Sequence, residues 1–389
     1  MPCLLLFTVI NVEVGEGQKV SEACNRVGLT LMKTLAQNDS GNIFISPFSL
    51  ANAITMLYCG ARTETATEIK EILQFQNMSE QELRSSFELL LSTVEKSSDS
   101  YSLECANAAM IQSNFSVHSQ YKKDLEESFH ALLLEVNFAK DPELVVAQVN
   151  RWVKDKTKGM ISQLIKSLSP LTVMVILNAV YFKGKWEHQF EKKKTSREKF
   201  YNNGEEGKSK KVDMMHMKES LEYVEKSTYQ ALKLPYKGKD IAMMILLPRS
   251  KKGLAELESQ LSPTYVEDLA KAMRKVKVKV SLPKFRVEYS KSLVDTLKSL
   301  GMRKAFNDGE ANLTGISDFK GIYVSEIMHK AVIEVNEEGS EAAAATAVVI
   351  AYRSLPPPVP EFTVNHPFLF TIYNTKNNLN LFTGRITEF

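Results

Sequence analysis

Two serines, a histidine and an asparagine are the residues whose types could support nucleophilic chemistry. They are Ser46, Ser49, Asn178 and His329, and a histidine that takes the proton of a serine is the basis of acyl transfer in many hydrolases. The serines flank Pro47 at a predicted helix start, and Asn178 lies in an apolar run. Since the sequence places no Asp or Glu to orient His329, we predict that this set is not catalytic and that the chain is not an enzyme.

The cysteines give no sign of a metal or redox site. Cys3, Cys24, Cys59 and Cys105 form no CxxC pair and no zinc-type spacing. The sequence therefore predicts buried thiols, no metal and no required cofactor.

The segment from Glu337 to Ser354 combines contradictory local preferences. An acidic pair and Gly339 precede a run of small residues, a β-branched run at 348–350, Arg353 and a proline cluster that ends at Pro360. Ala and Glu favour helix, Val and Ile favour strand, and Gly allows the backbone to pivot. The segment therefore suits two conformational states.

Composition and length indicate one globular domain. The 389 residues are 44% hydrophobic and 24% charged, and the net charge of +3 is too small to indicate nucleic acid by itself. No apolar run reaches the length that spans a membrane. We predict a single domain over residues 19–389, monomeric, with no nucleic-acid or membrane partner.

Residues 1–18 are either an N-terminal extension or an imperfect signal peptide. The apolar run from Leu4 to Ile10 follows no basic residue and precedes no clear Ala-x-Ala site. Sequons for N-glycosylation begin at Asn38, Asn77, Asn114 and Asn312. Together these features predict a secreted glycoprotein.

The predicted elements that position these residues are mostly helices in the first part of the chain and mostly strands in the last part. Apolar spacing predicts a helix over 19–35, and Asp141, Pro142 and Gly159 mark the start and end of another. Continuous apolar runs, typical of strands buried on both faces, lie at Val173–Phe182, Ile241–Leu247, Phe368–Tyr373 and Leu379–Ile386. This order predicts an α+β domain.

Several motifs together resemble the signature set of the serpin family. They are NIFISPFS at 42–49, LNAVYFKGKW at 177–186, HKA at 329–331, HPF at 366–368 and Gly384-Arg385. The resemblance implies a serpin fold of three β-sheets and eight or nine helices, with an exposed reactive loop at about 337–360. The loop is similar to that of antithrombin, a member of the family, but departs from it at Tyr352 and in its additional prolines.

The resemblance implies that a serine protease cleaves this loop, which then inserts as a central strand before the acyl-enzyme is hydrolysed. The implied hinge is Glu338, Gly339, Ser340, Glu341, Ala342, Ala343, Ala344, Ala345 and Thr346. Every second residue from Ser340 to Thr346 is small and uncharged, so this face of the strand can be buried.

Counting along the family's loop from Gly339 places the scissile bond between Arg353 and Ser354, next to Ala351, Tyr352 and Leu355. An arginine before the bond suits the S1 pocket of trypsin-like serine proteases, where a carboxylate pairs with the guanidinium. We expect Tyr352 to disfavour proteases such as thrombin that prefer Pro or Gly there. Trypsin, kallikrein-like proteases and coagulation-type proteases are all candidate targets. A coagulation-type target would imply a role in haemostasis.

By resemblance, the residues that match the shutter, a buried polar cluster beneath the sheet that must open, are Ser46, Ser49, Asn178 and His329. Trp186 matches the breach, where insertion begins; a plain core aromatic is the alternative interpretation.

A basic stripe suggests a polyanion partner. The stripe consists of Lys271, Arg274, Lys275, Lys277 and Lys279. Valines alternate with the lysines in the part of the stripe that is predicted to be a strand. Such a stripe could bind a sulfated polysaccharide such as heparin by releasing counterions, although an ordinary solvated face is the alternative.

The two function classes that remain are a suicide inhibitor of trypsin-like proteases and a non-inhibitory serpin that serves as carrier, chaperone or storage protein.

Overall fold

The computed structural model describes residues 3–75, 78–94, 100–338 and 358–389, with side chains from residue 17 onwards. Within these ranges the chain forms nine α-helices, most of them in its first half. They are α1 (Cys3–Asn38), α2 (Pro47–Gly60), α3 (Thr63–Leu73), α4 (Glu80–Val94), α5 (Ser119–Phe129), α6 (Pro142–Lys156), α7 (Leu254–Gln260), α8 (Tyr265–Ala272) and α9 (Val294–Ser299).

The strands of the same ranges dominate the second half of the chain. They are β1 (Ile43–Ile45), β2 (Tyr101–Gln112), β3 (Leu132–Val136), β4 (Met174–Gly184), β5 (Ser196–Tyr201), β6 (Ser209–Glu225), β7 (Tyr229–Pro235), β8 (Ile241–Pro248), β9 (Arg274–Pro283), β10 (Phe285–Ser292), β11 (Val324–Val335), β12 (Glu361–Thr363), β13 (Phe368–Asn374) and β14 (Asn380–Ile386).

One sheet has five strands in the order β10-β11-β4-β2-β3 and includes Asn178 and His329. Its middle pair, β11 and β4, is parallel, with register from Val324 opposite Met174 to Glu334 opposite Lys183. On either side of it, β10 pairs antiparallel with β11 and β2 pairs antiparallel with β4, while β3 at the edge pairs parallel with β2. The sheet is therefore closed along the whole length of its one central parallel pair.

Helix α6 packs against this sheet through a stripe of valines. Val145, Val149 and Val153 are buried in one cluster with side chains of β2 and β4. The start of α6 is fixed because the Asp141 side chain accepts a hydrogen bond from the Leu144 backbone N–H at 2.9 Å. Its end is followed by Gly159 at φ +84°, a conformation that glycine adopts without strain. Helix α2 packs against β2 and β4 as well.

The second sheet has nine strands, in the order β1-β14-β13-β8-β7-β6-β9-β12, with β5 paired to β6. The long strand β6 pairs with β9 over residues 214–223 and with β7 over 222–225, so it joins two halves into one sheet. The predicted α+β class is confirmed, and the second sheet is continuous because β6 pairs with strands on both sides.

The predicted elements match the structure closely, with one difference at the start of the chain. Helix α1 runs from Cys3 to Asn38 rather than over 19–35, because residues 4–18 contain no proline to interrupt it. The four predicted apolar strands are β4, β8, β13 and β14, with bounds that shift by one or two residues. Among the described helices, none combines the length and apolarity that a membrane crossing requires.

Candidate functional site

Three polar side chains lie in one row across the centre of the five-stranded sheet. Asn107 of β2 is the register partner of Asn178 of β4, and Asn178 is the partner of His329 of β11. All three are at least 97% buried. With Ser46 and Ser49 they form what we call the shutter cluster.

His329 links the two parallel strands and the start of α2. Its Nε2 accepts the backbone N–H of Ser46 at 3.4 Å, so the proton lies on Nδ1, which donates to Asn178 Oδ1 at 2.6 Å. Complete burial lowers the pKa of His329 to about 3. The imidazole is therefore neutral, with one nitrogen donating and the other accepting.

The two serines complete the network from the helix side. Ser46 is the N-cap of α2: its Oγ accepts the backbone N–H of Ser49 at 3.2 Å and donates to the Leu381 carbonyl oxygen at 2.7 Å. Asn178 Nδ2 donates to Ser49 Oγ at 2.5 Å and to Asn107 Oδ1 at 2.6 Å. Since His329 contacts the backbone of Ser46 rather than its hydroxyl, the arrangement links structural elements and does not activate a nucleophile.

Asn107 is a member of the shutter cluster that sequence reasoning missed. It lies within the otherwise mostly apolar stretch CANAAMI at 105–111. A single amide in a buried strand needs a hydrogen-bond partner, and this signal could have identified it.

Trp186 lies at the other end of the β4–β11 pair, where the chain leaves β11. It is 2% exposed, and its ring stacks on Tyr236 with 4.4 Å between centroids. Its Nε1–H donates to the Asn336 carbonyl oxygen at 2.9 Å. Trp186 therefore holds the backbone of the residue that follows β11.

Glu337 fixes the chain directly after the end of β11 through its buried carboxylate. It is 6% exposed, accepts a hydrogen bond from Thr195 Oγ1 at 3.0 Å and forms an ion pair with Lys284 at 3.0 Å. Burial by itself would raise the pKa of Glu337, but a backbone hydrogen bond, Lys284 and Thr195 together lower it. The carboxylate is thus held ionised at the base of the predicted loop.

Glu338 is the one predicted hinge residue within the described ranges. It lies 3.6 Å from Lys183 and 3.7 Å from Lys192, and its backbone N–H donates to Asn336 Oδ1 at 2.9 Å. The hinge residues 339–346, the flanking residues 351, 352 and 355, and the 353–354 bond all lie outside the described residues.

The basic stripe divides into paired and unpaired members. Lys271 forms an ion pair with Glu267 at 2.5 Å, and Lys279 with Glu361 at 2.9 Å. Arg274 Nη1 donates to three backbone carbonyls, those of residues 271, 272 and 273. Lys275, Lys277 and Lys279 are exposed at alternating positions of β9, which places them on one face of the strand.

The sequons differ in accessibility. Asn38, the last residue of α1, and Asn114 are exposed. Asn312 is half-buried, and its Nδ2 donates to Thr63 Oγ1 at 3.1 Å. Asn77 lies outside the described residues. Glycosylation stays a prediction.

The depressed pKa of His329 predicts a pH dependence of stability. An unfolded histidine takes up a proton below about pH 6.5, whereas folded His329 does so at about 3. The free energy of unfolding should therefore be complete above pH 6.5 and fall by up to about 1.4 kcal/mol per pH unit as the pH drops towards 3. Urea unfolding at pH 7.5 and pH 5 measures this loss.

In this experiment His329→Gln should lose much less stability between the two pH values. His188→Gln, which changes an exposed histidine, should retain the full loss. Equal losses in the wild type and His329→Gln would contradict the assignment.

The serpin family model, described as serine protease inhibitor, matches residues 22–389. Iripin-8 of Ixodes ricinus is 36% identical over 398 residues, which cover 98% of each chain. Intracellular coagulation inhibitor 1 of Tachypleus tridentatus is 38% identical over 375 residues, 95% of this chain and 89% of the relative.

Solved structures agree with this match over nearly the same length. Uncleaved ovalbumin superposes with a TM-score of 0.86 at 27% identity, covering 95% of this chain and 99% of ovalbumin. Maspin superposes with a TM-score of 0.87 at 26% identity, covering 96% of this chain and all of maspin. With a family model and relatives that extend over almost its entire length, the chain belongs to the serpin family of serine protease inhibitors.

Proposed function

We propose that this serpin is an irreversible suicide-substrate inhibitor of trypsin-like serine proteases, cleaved between Arg353 and Ser354. The observation that carries the proposal is the closed parallel pair β4–β11, from whose exit the predicted loop departs. The loop of this chain serves as the substrate of the protease, and no cofactor is required.

The geometry of that pair supports insertion of a strand. A segment that turns back after β11 runs antiparallel to β11 and therefore also antiparallel to β4, because β4 and β11 are parallel to each other. Insertion would replace one parallel pair with two antiparallel pairs, which are slightly more stable per residue. The two strands must first separate by one further strand spacing, roughly 4.8 Å.

The anchor at Glu337 supports a loop that pivots immediately after it. Its carboxylate is held by Lys284 and Thr195, while the Glu338 side chain is about half exposed and lies between two lysines. Glu337 is thus the firmly held residue nearest to Gly339 in the described part of the chain, and glycine is the residue type with the greatest backbone freedom.

The shutter cluster supplies the resistance that such a trap needs. Insertion requires that the hydrogen bond between His329 and Asn178 break, since these residues face each other across the β4–β11 pair. A buried hydrogen bond that is broken without replacement costs about 1–3 kcal/mol. We infer that this bond delays opening until the cleaved loop can fill the gap.

Trypsin tests the proposal directly. Incubation with a slight excess of trypsin should give a covalent complex that survives boiling in detergent and migrates as the sum of both chains on a gel. If the gel contains a cleaved chain and no complex, the carrier, chaperone or storage alternative takes the place of the inhibitor.

Two variants test the cleavage site and the inserting segment separately in the same assay. Arg353→Glu should abolish the complex with trypsin, because the S1 carboxylate repels the new charge. Ser340→Arg should leave cleavage intact but turn the inhibitor into a substrate, because a charge on the inserting face stalls burial. A normal yield of complex from either variant would show that the register of the loop is wrong.

We also propose that a heparin-like polysaccharide binds weakly along β9. Lys275 and Lys277 have no carboxylate within ion-pair distance in the described part of the chain, so they are the members of the stripe most available to sulfate groups. Lys275→Gln combined with Lys277→Gln should elute from a heparin column at lower salt than the wild type, whereas Lys271→Gln should change elution less. Unchanged elution of the double variant would leave the stripe as an ordinary solvated face.

Export, glycosylation and a monomeric state stay predictions from the sequence. The Tachypleus relative is named as an intracellular inhibitor, which gives export no support.

A further inference from the structure

A cavity of about 650 Å³ lies at the end of the five-stranded sheet where β4 and β11 begin, on the face that α6 covers. One wall is the segment 164–172, which leads from α6 into β4, and the other belongs to β10, β11, α9 and the residues beside them. No member of the shutter cluster or of the basic stripe lines it. The volume is in the range of small-molecule sites, about 300–1,000 Å³.

The charge of the cavity walls indicates an anionic ligand. Three lysines and one glutamate give a net charge of +2, and the lysines are Lys166, Lys291 and Lys298. Lys304 and Lys330 nearby are paired with carboxylates, whereas the described residues place no carboxylate within ion-pair distance of these three. Two of the three, on β10 and α9, are half-buried. Because a half-buried ammonium group has lost part of its hydration, an anion in the cavity would stabilise it.

Lys298 is positioned on the cavity wall by an aromatic ring. Its Nζ lies 5.7 Å from the ring centroid of Phe306, which also lines the cavity. Glu326, the one lining carboxylate, accepts the Ser292 hydroxyl and its neighbour's backbone N–H, that of Ile327, at 3.1 Å. The carboxylate is thus bound by donors of its own wall, and Lys298 stays available to a ligand.

We propose that this cavity binds a small phosphate monoester that carries an aromatic group. The dianion matches the net charge of +2 and lies between Lys166 of one wall and Lys298 of the other, with lining hydroxyls as further donors. The aromatic group packs against the rings of Phe306 and Tyr323, which line the same space.

The ligand would act on sheet opening, and this part of the inference rests on the proposed function. The segment 164–172 continues into β4, whereas the opposite wall is joined to β11. Two hydrogen bonds already connect the two sides: the Val173 backbone N–H donates to Ser325 Oγ at 2.9 Å, and Lys330 Nζ donates to the Gln163 carbonyl oxygen at 2.9 Å. A phosphate held by both walls adds a further connection, so the ligand favours the closed sheet.

Binding is measured by isothermal titration calorimetry of the full chain with phenyl phosphate as the probe. One equivalent should bind, more tightly than inorganic phosphate, which lacks the ring, and benzyl alcohol, which lacks the charge, should not bind. Lys298→Gln should weaken binding by about tenfold or more, because a charge-assisted hydrogen bond is lost, and Lys298→Arg should restore most of it. Lys166→Gln, which changes an exposed side chain that the fold does not need, should weaken binding as well.

Two control variants locate the site. Lys237→Gln changes an exposed lysine at the opposite end of the sheet, next to Tyr236, and should bind like the wild type. The double variant Lys275→Gln, Lys277→Gln should also bind like the wild type. Loss of binding in the double variant but not in Lys298→Gln, binding no tighter than that of inorganic phosphate, or no saturable binding overturns the site.

The effect on insertion is read from the partition between covalent complex and cleaved chain with trypsin. The protein without ligand must first form the complex, which tests the proposed function separately from the site. Saturating phenyl phosphate should then raise the ratio of cleaved chain to complex by about fivefold or more, while Lys298→Gln should give the same ratio with and without it. Hydrolysis of a small ester by trypsin in the same solution controls for a direct effect on the protease. An unchanged ratio at saturation overturns the regulatory role.

Discussion

The hydrogen bond between His329 and Asn178 joins the two parallel strands that must separate if this serpin is to trap a protease. It lies at the centre of the five-stranded sheet, and both residues are completely buried. Because His329 also accepts from the backbone of Ser46, the same imidazole ties the sheet to the start of helix α2. A displacement of His329 therefore disturbs the sheet and the start of α2 together.

The structure at the exit of β11 is arranged differently. There the contacts fix the chain up to Glu337 through a buried carboxylate and through the hydrogen bond of Trp186. Glu338 is held by two exposed ion pairs, which contribute little to stability, and by one hydrogen bond from its backbone N–H to Asn336. The sheet is therefore held shut at its centre, while the contacts at the exit of β11 hold the described chain most firmly at Glu337.

Much of this was predictable from the sequence, for identifiable reasons. Long apolar runs predicted β4, β8, β13 and β14, because strands that are buried on both faces need such runs. Asp141 and Pro142 gave the start of α6, because capping is a local interaction. The convergence of Ser46, Ser49, Asn178 and His329 came from motif resemblance, since residues so far apart in sequence carry no local signal of contact. Asn107 was missed, although a single amide in a buried strand is a local signal that a hydrogen-bond partner must lie nearby.

Contacts that depend on the register between strands could not be predicted. The pairing of Glu337 with Lys284 and Thr195 joins three separate segments, and no pattern within one segment specifies it. The length of α1 was underestimated because amphipathic spacing marks the buried part of a helix and not its ends.

The proposed function requires that the closed sheet is a metastable state that accepts the loop as a new strand. The direct test is the melting temperature of the intact protein compared with that of protein cleaved once between residues 339 and 354 and then purified. Insertion adds a strand to the centre of the sheet and releases strain stored in the intact fold, so the cleaved form should melt far above the intact form. Equal melting temperatures, or a lower one for the cleaved form, would contradict the account.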